Sequence, residues 1–348
     1  MVRRSLIASA LMVVATPLAA QVEPEEYVWT STGRPDAEAP IGVLGARTLE
    51  MGELQLTYRF SQQNSRGVWF GTDSLPLATT LQLYTVAPLT LSNITHSVTG
   101  SYGVSERLTI TGTAEFSLIE REQITNGGVL YITGVEELGD LTASAIYEVV
   151  RQGPYRLNFS AGGVIPIGKA RTYAITPFGG TTPQALPYDQ RPGGGTFAVI
   201  PGISGQVQNE VASLGAQFKA RIYLGDARIS DGLGYTPGDR YQGEGWAAYA
   251  INSVISVSWG LRWQTWGRLE GADPLLVTTQ DPGSDPVTGM AGGQRADMPI
   301  GVNVVLPEGT VLSGHRLYAE AVYAMHHDYE GVRLGLDWGF NFGWSMGF

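Results

Sequence analysis

Residues 332–348 alternate without a slip. Val332, Leu334, Leu336, Trp338, Phe340, Phe342, Trp344, Met346 and Phe348 are apolar. Arg333, Gly335, Asp337, Gly339, Asn341, Gly343, Ser345 and Gly347, which lie between them, are polar or small. Only a β-strand directs successive side chains to opposite faces. The chain therefore ends in a long strand with one apolar and one polar side, and the remaining residues must supply the sheet it joins.

The same two-residue period recurs along the chain. It predicts twelve strands, near 51–63, 91–103, 106–120, 138–151, 155–168, 195–206, 210–225, 241–253, 254–268, 293–306, 314–327 and 331–348. In the third, Leu108, Ile110, Gly112, Ala114, Phe116 and Leu118 oppose Arg107, Thr109, Thr111, Thr113, Glu115 and Ser117. Connections alternate in length. Tight turns are read at 103–105, 152–154, 207–209 and 252–253, and a longer one at 307–313. Long segments rich in Gly, Pro, Asp and Thr occupy 64–90, 121–137, 169–194, 226–240 and 269–292. An even-stranded, up-and-down barrel with both ends on one side has this rhythm.

A water-soluble sandwich alternates too, so the location of charge decides which face is buried. No Asp, Glu, Lys or Arg interrupts the middle of an apolar face. Mid-strand charges fall on the other side: Arg59, Glu115, Glu148, Lys219, Arg221, Arg262, Arg295, Asp297, Arg316, Glu320, Arg333 and Asp337. Twelve closed strands also enclose more space than side chains readily fill. Tyr58, Tyr102, Tyr147, Tyr155, Tyr223 and Trp344 stand near strand ends, as an interfacial girdle requires. The expected fold is all-β: a transmembrane, antiparallel, up-and-down barrel over residues 51–348, with lipid as its outer partner.

Arg3 and Arg4, an apolar run from Leu6 to Leu18, and Ala19-Ala20 read as a secretory signal peptide over 1–20. The run falls short of the roughly 20 residues a spanning helix needs. Residues 21–50, acidic and Pro-rich without periodicity, read as a periplasmic N-terminal extension; a plug inside the barrel is the other reading. The absence of cysteine excludes disulfides and cysteine catalysis. A formal charge of −10 argues against nucleic acid as a partner.

Several segments carry a resemblance. They are Tyr102-Gly-Val-Ser-Glu-Arg-Leu-Thr109, Leu138-Gly-Asp-Leu141, Gly163-Val-Ile-Pro-Ile-Gly168 and Gly238-Asp-Arg-Tyr241. Trp263-Gln-Thr-Trp-Gly-Arg-Leu-Glu-Gly-Ala-Asp-Pro274 and Gly314-His-Arg-Leu317 complete the set. From about residue 91 onward the chain resembles the outer-membrane transporter family associated with meta-pathway phenol degradation. That resemblance implies a barrel moving aromatic or other hydrophobic small molecules. The end of the chain likewise resembles the terminal strand of outer-membrane barrels, which implies that Trp344, Met346 and Phe348 address it to the barrel-assembly machinery.

His96 shares the lipid face with Ile94 and Val98, where a lipolytic site would want a serine at 98; Ser97 points the other way. His315 lies at the opposite strand end from His326 and His327, which disfavours a joint metal site. Asp226, Asp231, Asp273, Asp281 and Asp285 match no calcium loop and read as solvated loop charges. On the polar faces, Ile146, Val164, Ile200, Trp246, Trp266, Tyr318 and Val322 are apolar intruders, and Trp246 and Trp266 lie on adjacent strands. They form either an aromatic-lined path or packing that narrows the lumen. Gly335, Gly339, Gly343 and Gly347 leave an inward trough that could receive residues 21–50. The expectation is a channel passively admitting a small hydrophobic or aromatic solute, with no cofactor. A lipid-acting barrel enzyme and a structural or adhesive barrel are the alternatives.

Overall fold

A computed structural model describes residues 34–43, 45–230, 233–306 and 314–348. The expected signal peptide, residues 21–33 and the turn at 307–313 lie outside the described residues. Strands β1 (Leu54–Gly71), β2 (Val86–Ser105), β3 (Leu108–Thr125), β4 (Leu141–Gln152), β5 (Tyr155–Ile165) and β6 (Phe197–Gln208) form half of the wall. β7 (Ala212–Leu224), β8 (Arg240–Ala250), β9 (Ile255–Trp266), β10 (Gly293–Val305) and β11 (His315–Gly347) form the rest. Each pairs antiparallel with the next, and β11 pairs with β1 from Gln55↔Gly347 upward, which closes the barrel.

β11 is 33 residues long and doubles back near Glu330. Its first arm pairs with β10 up to Tyr329, and its second pairs with β1. Asn341 donates to Glu320 at 2.8 Å and Tyr318 and Ser345 hydroxyls lie 3.1 Å apart, so the arms are neighbours. Counted as crossings, the eleven elements make the twelve passes expected from the sequence.

One face of β9 shows why this wall belongs in lipid. Ser256, Ser258 and Arg262 are buried, whereas Val257, Trp259, Leu261 and Trp263 are 39–53% exposed. That is the reverse of a soluble sheet, and a contiguous exposed apolar belt of this kind needs a hydrocarbon solvent. No helix among the described residues is long and apolar enough to cross a membrane.

Two-residue turns such as Gly153-Pro154 join strands at one end; Gly153 has φ 51°, a conformation that favours glycine. At the other end the strands extend further than the sequence suggested. β1 continues to Gly71, β2 starts at Val86, β3 reaches Thr125, and an extra strand Leu130–Leu138 pairs with the end of β3. These extensions mix apolar and polar residues on both faces, for example exposed Leu130 and Ile132 with exposed Glu136.

Two expectations need correction. Residues 34–50 do not extend away from the barrel but lie inside it. The alternation of 332–348 is not kept in space: the β1 register jumps from Asn64↔Trp338 to Ser65↔Leu336, leaving a bulge at Asp337. Leu334 and Leu336 are consequently buried and line the lumen, while Asp337 is exposed and lines no part of it. Trp246 and Trp266 lie on adjacent strands, as expected. Trp266 faces Arg240 and Trp246 faces Gly260, six residues further along the β8–β9 ladder.

The lumen as candidate functional site

The floor of the lumen is built by residues 34–50, entering at the turn end. Arg34 donates to the Asn209 carbonyl, Ser256 to that of Pro35 (2.8 Å) and Ser213 to that of Asp36 (2.7 Å). A Cβ at Gly42 would fall 2.1 Å from Arg262 Nη2, so a larger residue there must displace the Arg262 or Glu320 side chain. The segment returns to the rim where the Leu49 amide donates to Thr109 (2.7 Å) and the Gly52 amide to Gly103 (2.8 Å). Glu38 fastens it: Arg47 and the Tyr318 hydroxyl donate to its carboxylate, and Arg316 Nε lies 3.3 Å away. Gly343 acts as the expected trough and receives Ile41, whereas Gly335, beyond the bulge, is covered by Trp69 of β1.

Beside this floor the wall carries paired charges. Arg262 donates to both oxygens of Glu244 at 2.8 Å and lies 3.6 Å from Glu320. Arg295 grips Asp297 through two hydrogen bonds (2.8 and 3.0 Å), and Arg59 stands 3.9 Å from Glu115. Glu148 is fully buried between Arg151 and Arg156. Such pairs fix geometry more than they stabilise, because desolvation offsets their attraction. Glu244 escaped the sequence reading, although it shares a face with Trp246 two residues on.

The roof is formed by the long connections. Tyr188, Ala227, Tyr235, Leu269 and Leu276 make a small core above the mouth. Asp273 is buried and held by Arg171 (2.8 Å) and Arg191 (2.9 Å). Burial pushes its carboxyl up, but the two arginines and the Leu275 amide outweigh that and leave it below the ordinary range. Asp281 accepts from Arg121 at 2.7 Å, yet burial wins there and leaves its carboxyl above the ordinary range. These are therefore structural latches and not solvated loop charges. Among the described residues no cluster of three metal-binding side chains occurs.

Floor, wall and roof surround a cavity of about 820 Å³. Of the residues expected to line the lumen, Glu115, Lys219, Arg221, Trp266, Arg295, Tyr318 and Arg333 border it. Arg59 faces the same way, engaged with Glu115. Glu148, Arg262, Asp297, Arg316 and Glu320 are buried in the ion pairs beside the floor. Trp246 is 4% exposed and packs over Gly215, so it is wall filling and not path. Val164 is likewise buried, whereas Ile146, though buried, borders the cavity with Ile200. His96 on the outer face pairs with the Tyr58 hydroxyl (2.7 Å), whereas Ser97 donates inward to the Arg59 carbonyl (3.4 Å). Those partners supply no serine to the histidine.

At the chain end, the Phe348 amide donates to Leu54 (2.7 Å) while its ring stays exposed, and Trp344 donates to His315 (2.9 Å). Comparison with solved structures places the architecture. The crystal structure of the COG4313 outer membrane channel from Pseudomonas putida F1 superposes with a TM-score of 0.62 at 12% identity, covering 88% of this chain and 99% of that one. The fold is an outer-membrane β-barrel. The CymD monoaromatic hydrocarbon channel is matched more loosely, with a TM-score of 0.42 at 10% identity over 91% of this chain and 98% of that one. At these identities the barrel's likeness is one of fold. No protein-family model matches the chain, and no curated protein matches it in sequence.

Proposed function

We propose that this protein is an outer-membrane channel that passively admits small hydrophobic or aromatic molecules. The observation that carries this reading is the walled cavity, floored by residues 34–50 and bordered by Trp266, Tyr188, Tyr235 and Tyr329 among charged groups. In this reading the long connections face the exterior and the tight turns the periplasm. A solute partitions into a lumen of mixed polarity, with aromatic faces holding its body and fixed charges excluding or orienting it. Passage to the periplasm requires the floor segment to move. No cofactor is needed, and the lipid partner is the surrounding membrane. Trp344, Met346 and Phe348 serve as the signal read by the barrel-assembly machinery. The aromatic cargo accords with the resemblance to phenol-pathway transporters.

The test is flux into proteoliposomes of benzyl alcohol and of a small sugar. Trp266→Ala should lower benzyl alcohol flux and leave the sugar unchanged. Parallel rises in both would identify a plain water-filled pore.

A further inference from the structure

We infer that the loop end of the lumen holds a selective site for aromatic carboxylates. The inference rests on the channel reading and specifies its solute.

Arg221 and Arg240 stand directly opposite each other across β7 and β8. Both border the cavity. Like charges at directly opposed positions on one face of a sheet repel and destabilise it. Among the described residues, neither guanidinium has a carboxylate within salt-bridge distance. Arg333 and Lys219, which also border the cavity, have none either. Four cations without ion-pair partners thus face one space in a chain whose net charge is −10. By comparison, Arg262 and Arg316 beside the floor, and Arg295 next to Tyr329 and Arg333, each have a carboxylate partner. The contrast marks the loop end as a place that receives an anion.

The same ring of residues supplies an aromatic surface. Trp266 sits opposite Arg240 on the adjoining strand. Its ring lies 5.8 Å from that of Tyr329, and the Arg333 guanidinium is 5.0 Å from the Trp266 ring and 5.4 Å from the Tyr329 ring. The Trp266 indole N–H is shielded and has no acceptor among the described residues. Shielded donors normally find partners, so an unmet one beside a cavity invites an acceptor. A planar ring bearing a carboxylate meets both the cations and the aromatic surface. Its oxygens accept from the forked guanidiniums of Arg221 and Arg240, the geometry arginine favours for carboxylates. Its ring lies against Trp266 and Tyr329. A neutral aromatic lacks the first half, and a sugar acid lacks a flat apolar ring for the second.

The experiment compares proteoliposome flux of benzoate, benzyl alcohol, acetate and glucuronate through the full chain. Benzoate is expected to pass fastest. In Arg221→Gln/Arg240→Gln the benzoate-to-benzyl alcohol ratio should fall by at least about tenfold, the order of one lost charge-assisted hydrogen bond. Arg221→Lys/Arg240→Lys, which keeps charge but not the fork, should give an intermediate ratio. Folding of each variant is checked by its faster gel migration when unheated. If benzyl alcohol passes but benzoate gains nothing, or the glutamine variant leaves the ratio unchanged, the carboxylate site is wrong and the channel stands. If acetate or glucuronate matches benzoate, the aromatic half is wrong. If no solute passes, the channel reading itself fails.

Discussion

Ile41 of the floor segment fills the space left by Gly343 on the wall: a Cβ at Gly343 would lie 2.5 Å from Ile41 Cδ1. This contact couples a residue near the N-terminus to the last strand. Gly343→Leu should therefore push Ile41 out, at a cost of about 1–3 kcal/mol to floor docking. The expected outcome is higher single-channel conductance and protease cleavage within 34–50, with the barrel itself still resistant to heating. Unchanged conductance in the folded variant would separate Ile41 from closure.

The two lumen tryptophans should respond differently to alanine. Trp246 is buried over Gly215, and its loss leaves a cavity in the wall costing about 3–5 kcal/mol. Trp266 borders open space, so its loss should alter aromatic flux more than stability. Denaturant unfolding in detergent alongside flux measurements reads both. A large stability loss from Trp266→Ala would reverse the assignment.

Acidification should loosen the roof through Asp273. Its carboxyl lies below the ordinary value of 3.8, because Arg171 and Arg191 outweigh burial. A group with a depressed native value contributes stability that is present above the ordinary value and lost as pH falls through the native one. Asp281, held above that value by burial, acts in the opposite sense: its contribution is present at low pH and lost as pH rises. Limited proteolysis of loops 169–194 and 269–292 should accelerate in the most acidic range, below the ordinary carboxylate value. In Asp273→Asn, cleavage should already be fast at neutral pH, since Arg171 and Arg191 lose their charged partner. Equal resistance of that variant would contradict the latch.

Phe340 is 38% exposed on the outer face, opposite Gln62 of β1. Phe340→Arg places a charge in lipid and should cost about 2–4 kcal/mol if it lies near the midplane. Folding titrations into vesicles measure it, and a cost near zero would remove this face from the membrane.

The wall was legible in the sequence because lipid and lumen demand opposite side chains at successive positions. Where that demand stops, legibility stops. The extensions 64–71 and 121–125 and the strand Leu130–Leu138 carry no strict alternation and read as loop. The bulge at Asp337 was invisible because 332–348 alternates perfectly; only pairing with β1 reveals the inversion. The floor was read as an extension because its partners are remote. Glu38 meets Arg316 and Tyr318, and Asp36 meets Gln208, across separations that no local period encodes. The inward glycines of the last strand were its one local trace. The loop carboxylates Asp273 and Asp281 looked solvated for the same reason, since their arginines come from other segments.

The central claim is that residues 34–50 close a lumen through which small molecules pass. The chain has no cysteine, so a single engineered pair can pin the floor to the wall. Ile41 Cγ1 lies 3.0 Å from a Cβ built at Gly343, which places the two Cβ atoms roughly at the 3.5–4.5 Å a disulfide requires. Benzyl alcohol flux should be measured for Ile41→Cys/Gly343→Cys before and after reduction. The account predicts background flux when the bond is formed and recovery when it is reduced. Equal flux in both states, with the bond shown to be present, would contradict it.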